Sequence, residues 1–332
     1  MSEKSEIVKL TSAEISGLWS TYMNINVVIC FIAHFQETCD DPDILEILKE
    51  SNQLARKHEA EIEQLFLKEK IVIPTGFKVE KHVVSHAPKL FSDVFYIQSV
   101  LQMSQFGVAT HTANLTMSAR EDIRKMFKQY IDDVSDFYNK VVNCMQEKGI
   151  YIRMPSMNYP SEVDFINKDS ILTGWFGRRR PLLAMEVTHL ALNAIQNNMG
   201  KVICTGFSQV TKDREIQNYF LRGKQLCKQI STSVYDILEE NDVPLGMSSD
   251  QSLTKSTVAP FSEQFMLYVI GILSGLGIAG YGAGLSTTMR RDISAMYASF
   301  ITKTGAFVED GLNLMIEREW MEQPPKIAER EG

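Results

Sequence analysis

Glu186 and His189 stand three residues apart in "PLLAMEVTHLALNAIQNN" (181–198), close enough to share one helical turn. A carboxylate and an imidazole at that spacing form part of the di-metal centre built between four helices. Such a centre takes a Glu-x-x-His from each of two helices and a Glu from each of the other two. Counting the remaining ligands works against it here. Residues 175–332 contain no histidine besides His189, so that half cannot supply a second motif. In the first half the histidines are at 34, 58, 82, 86 and 111, and the residues three before the helical ones are Phe31, Ala55 and Val108. None is acidic. Glu186 and His189 therefore remain metal candidates only for an asymmetric site with few protein ligands.

Other chemistry is sparser still. No Ser-His-Asp set, zinc-ligand spacing or Gly-rich phosphate loop is present, and the sequence nominates no catalytic and no cofactor-binding residue. "GLGIAGYGAG" (275–284) follows no strand and lies within a helical pattern. His58 reads as a hydrogen-bonded core histidine, and Glu59, Glu61 and Glu63 as a solvated face. His82 and His86 fall in a loop. Trp175, Phe176 and Arg178 to Arg180 could form an aromatic–basic binding site, but ordinary ring burial on a tether explains them as well.

The elements that must position these residues come in two copies. "FSDVF" (91–95) recurs as "FSEQF" (261–265), and "AREDIRKMF" (119–127) as "MRRDISAMY" (289–297), at an offset of 170. Upstream the offset is 172, pairing Glu14 with Glu186, Leu18 with Leu190, Asn26 with Asn198 and Phe35 with Phe207. The two-residue change falls between Ile71 and Pro74, in a loop, where insertions are tolerated. Apolar residues follow one helix face in both copies, as at Ile44, Ile47, Leu48 and Ile62 and again at Ile216, Tyr219, Phe220 and Val234.

Each copy reads as four long helices: 11–37, 42–70, 90–116 and 118–148, then 181–209, 213–240, 261–286 and 289–319. Short turns join the first two and the last two. The middle connection is about 19 residues in both copies (71–89 and 242–260). At about 3.3 Å per residue it can run the length of a bundle. One long crossover is the ferritin-like pattern. The expected fold is all-α, with two tandem ferritin-like four-helix bundles related by internal duplication. The domains are 1–152 and 181–332, joined by a linker at 153–180.

Polar residues that recur carry the next expectation. They are Glu14/Glu186, Asn26/Asn198, Arg120/Arg290 and Asp122/Asp292. The acids at 122 and 292 sit in a first helical turn, where the helix dipole favours them. With a crossover after the second helix, the first and fourth helices start at one end. The sequence therefore predicts charge-assisted structural pairs, Glu14 with Arg120 and Glu186 with Arg290.

Composition narrows the partners. Acidic residues outnumber basic ones by 41 to 34, for a net charge of −7, and no long basic run exists. Nucleic acid is not an expected partner, since phosphate binding relies on clustered Lys and Arg. Five cysteines without Cys-x-x-Cys spacing suit reduced thiols in a cytoplasm. "MSEKSEIVKL" lacks an apolar signal core. Residues 265–289 are apolar and charge-free for about a membrane span. Their repeat counterpart, 95–117, carries Gln98, Gln102, Gln105 and His111, so the expectation is a helix buried between the two units and no transmembrane segment.

The ordered set "LTSAEISGLWSTY", "APKLFSDVFY", "SAREDI", "KGIYIRMP", "GWFGRRRPL", "GFSQV", "FSEQF", "YGAGL", "RRDISAMY" and "EREWMEQPP" resembles the domain of unknown function 3231 family of Bacillus and related spore formers. The likeness spans about residues 10–325. It implies a tandem ferritin-like fold and an association with spore coats, with no defined activity. The sequence thus reads as a non-enzymatic structural or interaction protein, cytoplasmic or spore-associated, with protein partners or further copies of itself. The alternatives are an atypical metal binder or oxidoreductase near Glu186 and His189, and a small-molecule binder between helices.

Overall fold

Thr11, Asp41, Ser92 and Asp213 each stop a chain segment and start a helix. Their side-chain oxygens accept the N–H groups of Glu14 (3.2 Å), Asp43 (3.0 Å), Phe95 (3.3 Å) and Glu215 (2.8 Å). These are N-caps, supplying acceptors to amides that a first turn leaves bare. The computed structural model describes residues 8–166, 169–172, 174, 179–246 and 252–327, with backbone alone at 169 and 170. Among them the helices are α1 (Ser12–Thr38), α2 (Pro42–Glu69), α3 (Val79–His82), α4 (Asp93–Met117), α5 (Glu121–Glu147), α6 (Ala184–Val210), α7 (Arg214–Glu239), α8 (Glu263–Thr287) and α9 (Arg291–Glu317). The eight long ones lie within three residues of the expected bounds. The additions are the one-turn α3 and a 3₁₀ turn at Asp169–Leu172. Among the described residues there is no strand, and Val83 and Phe261 form an isolated antiparallel bridge.

The chain divides into two repeated halves. One unit comprises Met1–Tyr151, Pro260–Ser262 and Glu322–Gly332, and the other Ile152–Ala259 and Glu263–Met321. Repeat partners do the same work in each core: Leu18 and Leu190, Phe35 and Phe207, Ile44 and Ile216, Ile62 and Val234, and Ile123 and Ile293 are all buried. Each such side chain is worth about 1.5–3 kcal/mol of burial.

Hydrogen bonds fix the direction of each helix. In the first unit Asp93, at the start of α4, accepts the N–H groups of Asp40 (3.2 Å) and Asp41 (3.1 Å) in the α1–α2 turn. At the opposite end, Glu69 closes α2 and meets Arg120, which precedes α5. The chain between α2 and α4 must therefore traverse the unit lengthwise. In the second unit Glu263, at the start of α8, accepts from Lys212 and Asp213 (3.0 Å each) in the α6–α7 turn.

Two helices, α1 and α8, are long and apolar enough to be weighed as membrane spans. The apolar window of α1 is 67% buried, as expected of a core helix, while that of α8 is 33% buried. The expectation of a largely buried α8 is corrected. Its glycines leave part of the helix uncovered, since a Cβ added at Gly271, Gly275 or Gly282 would meet nothing within 4 Å.

Candidate functional site

The recurring glutamates sit where one helix begins beside another. Glu14 is fully buried. Its carboxylate accepts the N–H of Thr11 (2.7 Å), closing a capping box on α1. It also accepts the N–H groups of Ala119 (2.9 Å) and Arg120 (2.7 Å) at the start of α5. Glu186 repeats this with Leu183 (2.9 Å), Met289 (3.1 Å) and Arg290 (3.3 Å) at the starts of α6 and α9. Leucine has no acceptor to return, so only the glutamate's half of the box exists there. In exchange Glu186 gains a bidentate pair with Arg180 (2.8 Å twice) and the hydroxyl of Thr288 (3.0 Å). Neither Arg120 nor Arg290 caps its own helix by a side chain. The glutamate from the other helix instead takes the N–H of the cap residue itself and of the residue before it.

Acidity follows from these contacts. Burial pushes the Glu186 carboxyl up, but Arg180, the Leu183 and Met289 amides and Thr288 outweigh it, leaving the group at about 2. Glu14 is also lowered, its backbone donors overcoming the same burial.

The guanidinium groups do not go where the sequence placed them. Arg120 forks onto Asp122 (3.1 and 2.6 Å) and reaches Glu69 (2.8 Å), while Glu14 holds only its backbone amide. Arg290 forks onto Asp292 with the same two distances, and Glu186 again takes the amide. The partners share one end of each unit, but the side-chain pairs are Arg–Asp, two residues apart. Arg290 is fully buried and its Nη1 has no hydrogen-bond partner among the described residues. Asp93 and Glu263 form a further repeated pair that comparison of identical residues passes over. Each anchors the third long helix to the preceding turn.

His189 stands one turn along α6 from Glu186, and its carbonyl accepts from Asn193 (2.7 Å). Both Glu186 oxygens are saturated by N–H and O–H donors. A metal there would first have to displace Arg180. Among the described residues no group of three or more His, Cys, Asp or Glu side chains is arranged to hold a metal ion. These residues do not fit the di-metal centre of a ferritin-like bundle.

A family model described as "Protein of unknown function (DUF3231)" matches the chain twice, over residues 2–163 and 170–332. The chain belongs to the DUF3231 family. No curated protein matches it. A solved structure of a "putative spore coat protein" from Bacillus halodurans C-125 is 20% identical, covering 46% of this chain and 98% of that one at a TM-score of 0.40.

Within this DUF3231 chain the two units differ in their buried polar groups. In the first, Glu59 is buried, not solvated as its neighbours suggested. It accepts from Asn26 (2.9 Å) and Arg56 (3.0 Å) and lies 3.4 Å from Lys78. Asn26 donates to Glu59 through Nδ2 and accepts the N–H of Phe77 at Oδ1 (3.2 Å), so this set straps the crossover onto α1 and α2. His58 stacks on Tyr130 at 3.8 Å between centroids, with Nε2 3.0 Å from Asp133. His111 is buried with its Nδ1 unpartnered among the described residues, and burial holds it at about 4. His34 has both ring nitrogens unpartnered among the described residues and is also held at about 4 by burial. His82 is buried and bonded to Ser262, whereas His86 is exposed and paired with Glu37 (2.7 Å). In the second unit Asn198 meets Tyr235 (2.6 Å), and Tyr281 donates to Asn197 (2.9 Å).

Of the aromatic–basic cluster, Trp175, Phe176 and Arg178 lie outside the described residues. Arg179 reaches Glu240 and the carbonyl of Gly174, and Arg180 takes Glu186 and the carbonyl of Ile171. A cavity of 360 Å³ lies between α7 and α9, lined by residues including Glu215, Tyr219, Arg222 and Asp310. It is lined by no residue of the Gly-rich α8.

Proposed function

We propose that the chain is a non-enzymatic structural or interaction protein on a duplicated ferritin-like scaffold. Its partners are proteins or further copies of itself, in a cytoplasmic or spore-associated setting. Four long helices per unit with a lengthwise crossover between the second and third support the ferritin-like reading. One observation carries the functional part. The recurring carboxylates Glu14 and Glu186, which a metal enzyme of this architecture would need free, are buried and committed to amide and guanidinium donors. Spore association rests on the family resemblance.

The test is elemental analysis of protein purified without chelators, alongside His189→Ala. Sub-stoichiometric iron, manganese and zinc, unchanged by the substitution, is the expected result. Stoichiometric metal lost in His189→Ala overturns the reading in favour of a metal protein. His189 is the better probe because it lacks the structural load of Glu186.

A further inference from the structure

Two thiols meet inside the second unit. Cys204 on α6 is buried and Cys227 on α7 is half-buried, both as free thiols. Their setting is reciprocal. Gly200 lies one turn before Cys204, and a Cβ placed on it would sit 3.0 Å from the Cys227 sulfur. Gly223 lies one turn before Cys227, and a Cβ on it would sit 3.0 Å from the Cys204 sulfur. Each sulfur therefore occupies the hollow left by a glycine on the facing helix. That arrangement brings two antiparallel backbones close, which a disulfide requires of its α-carbons.

The first repeat has nothing comparable. Its equivalent positions hold Val28, Ile32, Ser51 and Ala55. The other three cysteines have separate surroundings: Cys30 donates to the carbonyl of Phe77, Cys39 to that of Asp41, and Cys144 lies on α5.

We propose that Cys204 and Cys227 form a peroxide-responsive pair that closes into a disulfide stapling α6 to α7. Cys227, the accessible member, is oxidised first. Its thiolate attacks one peroxide oxygen, the O–O bond breaks, hydroxide leaves, and a sulfenic acid forms. The Cys204 sulfur then attacks the Cys227 sulfur, the S–O bond breaks, and water departs with the Cys204 proton. Two thiols lose two electrons in all, and one hydrogen peroxide becomes two waters. The neighbouring thiol first, and burial second, hold Cys204 well above the usual thiol range, so Cys227 and not Cys204 meets the peroxide.

The experiment treats the reduced full chain with hydrogen peroxide, blocks remaining thiols with an alkylating agent and maps peptides by mass spectrometry. The expected product is a Cys204–Cys227 peptide lighter by two hydrogens, restored by a thiol reductant. Cys227→Ala, which installs the residue of the first repeat, should abolish it and leave Cys204 alkylatable once the protein is unfolded. Cys204→Ala should leave Cys227 as a trappable sulfenic acid. If peroxide oxidises Cys39 or Cys144 while Cys204 and Cys227 both remain thiols, the proposal fails. It fails equally if Cys227 links to a second molecule in preference to Cys204.

Discussion

Glu186 gathers six donor contacts in the space of one carboxylate, and Glu14 gathers three. The difference predicts unequal costs for the same substitution. Glu14→Gln keeps one carbonyl oxygen for the amides and should cost about 1–2 kcal/mol. Glu186→Gln also leaves the Arg180 guanidinium, only 13% exposed, without its counter-charge, and should cost about 2–4 kcal/mol. Denaturant midpoints of the two variants measure this. The Arg180→Leu/Glu186→Gln double variant should recover part of the second loss. If the two single variants lose stability equally, Arg180 is not the source of the excess. The importance of Glu14 and Glu186 was legible because both recur in a polar pattern. Their partners were not, because main-chain N–H groups leave no mark in a sequence, and the recurring arginines offered an easier match. Asp93 and Glu263 went unread for a related reason: the repeat keeps their charge and changes their length. Glu59 was misread because its repeat partner is Ser231, so recurrence gave no hint that it is buried.

Helix boundaries and the crossover were legible because caps, turn residues and the length of the middle connection all point one way. The four-residue α3 was not, being too short for a periodic signal. The packing of α8 was harder still. Its repeat counterpart suggested a helix buried between the units, but glycine in a sequence does not tell whether a neighbour is close. The structure separates its glycines into two kinds. At Gly271, Gly275 and Gly282 a methyl group would meet open space, so each Gly→Ala change should raise stability by about 0.5–1 kcal/mol through helix propensity. At Gly284 the methyl would overlap the Tyr297 ring, and at Gly311 of α9 it would overlap the Tyr219 hydroxyl. Those two Ala variants should destabilise, because a rigid aromatic side chain must move. Thermal midpoints of the five single variants provide the check. A gain at Gly284 or Gly311, or a loss at all three open positions, would contradict this division.

The two units share a plan and differ in their response to acid. His34, His58, His82 and His111 are buried in the first unit, while the second has only His189, which is half-buried. Burial lowers all four in the first unit, with His34 and His111 held at about 4. Facing charges do not reverse this: Glu37 acts on His34, Asp133 and Lys57 on His58, Lys81 on His82, and His58 itself on His111. A histidine with a depressed folded value binds its proton more readily when unfolded. Its contribution is therefore complete above about 6.5 and is lost as pH falls from there through the folded value. For His34 and His111 this amounts to roughly 2 kcal/mol each by pH 5. The helix-joining carboxylate Glu186 stays ionised until about 2, so it does not share this window. Hydrogen exchange at pH 7.5 and pH 5, corrected for intrinsic rates, should show protection falling across α1, α2, α4 and α5 and holding across α6 to α9. His34→Leu and His111→Leu remove a proton acceptor without stranding a partner, and together they should flatten most of the difference. Equal loss of protection in both halves, or an unchanged profile in the double Leu variant, would show that buried imidazoles do not govern the acid response.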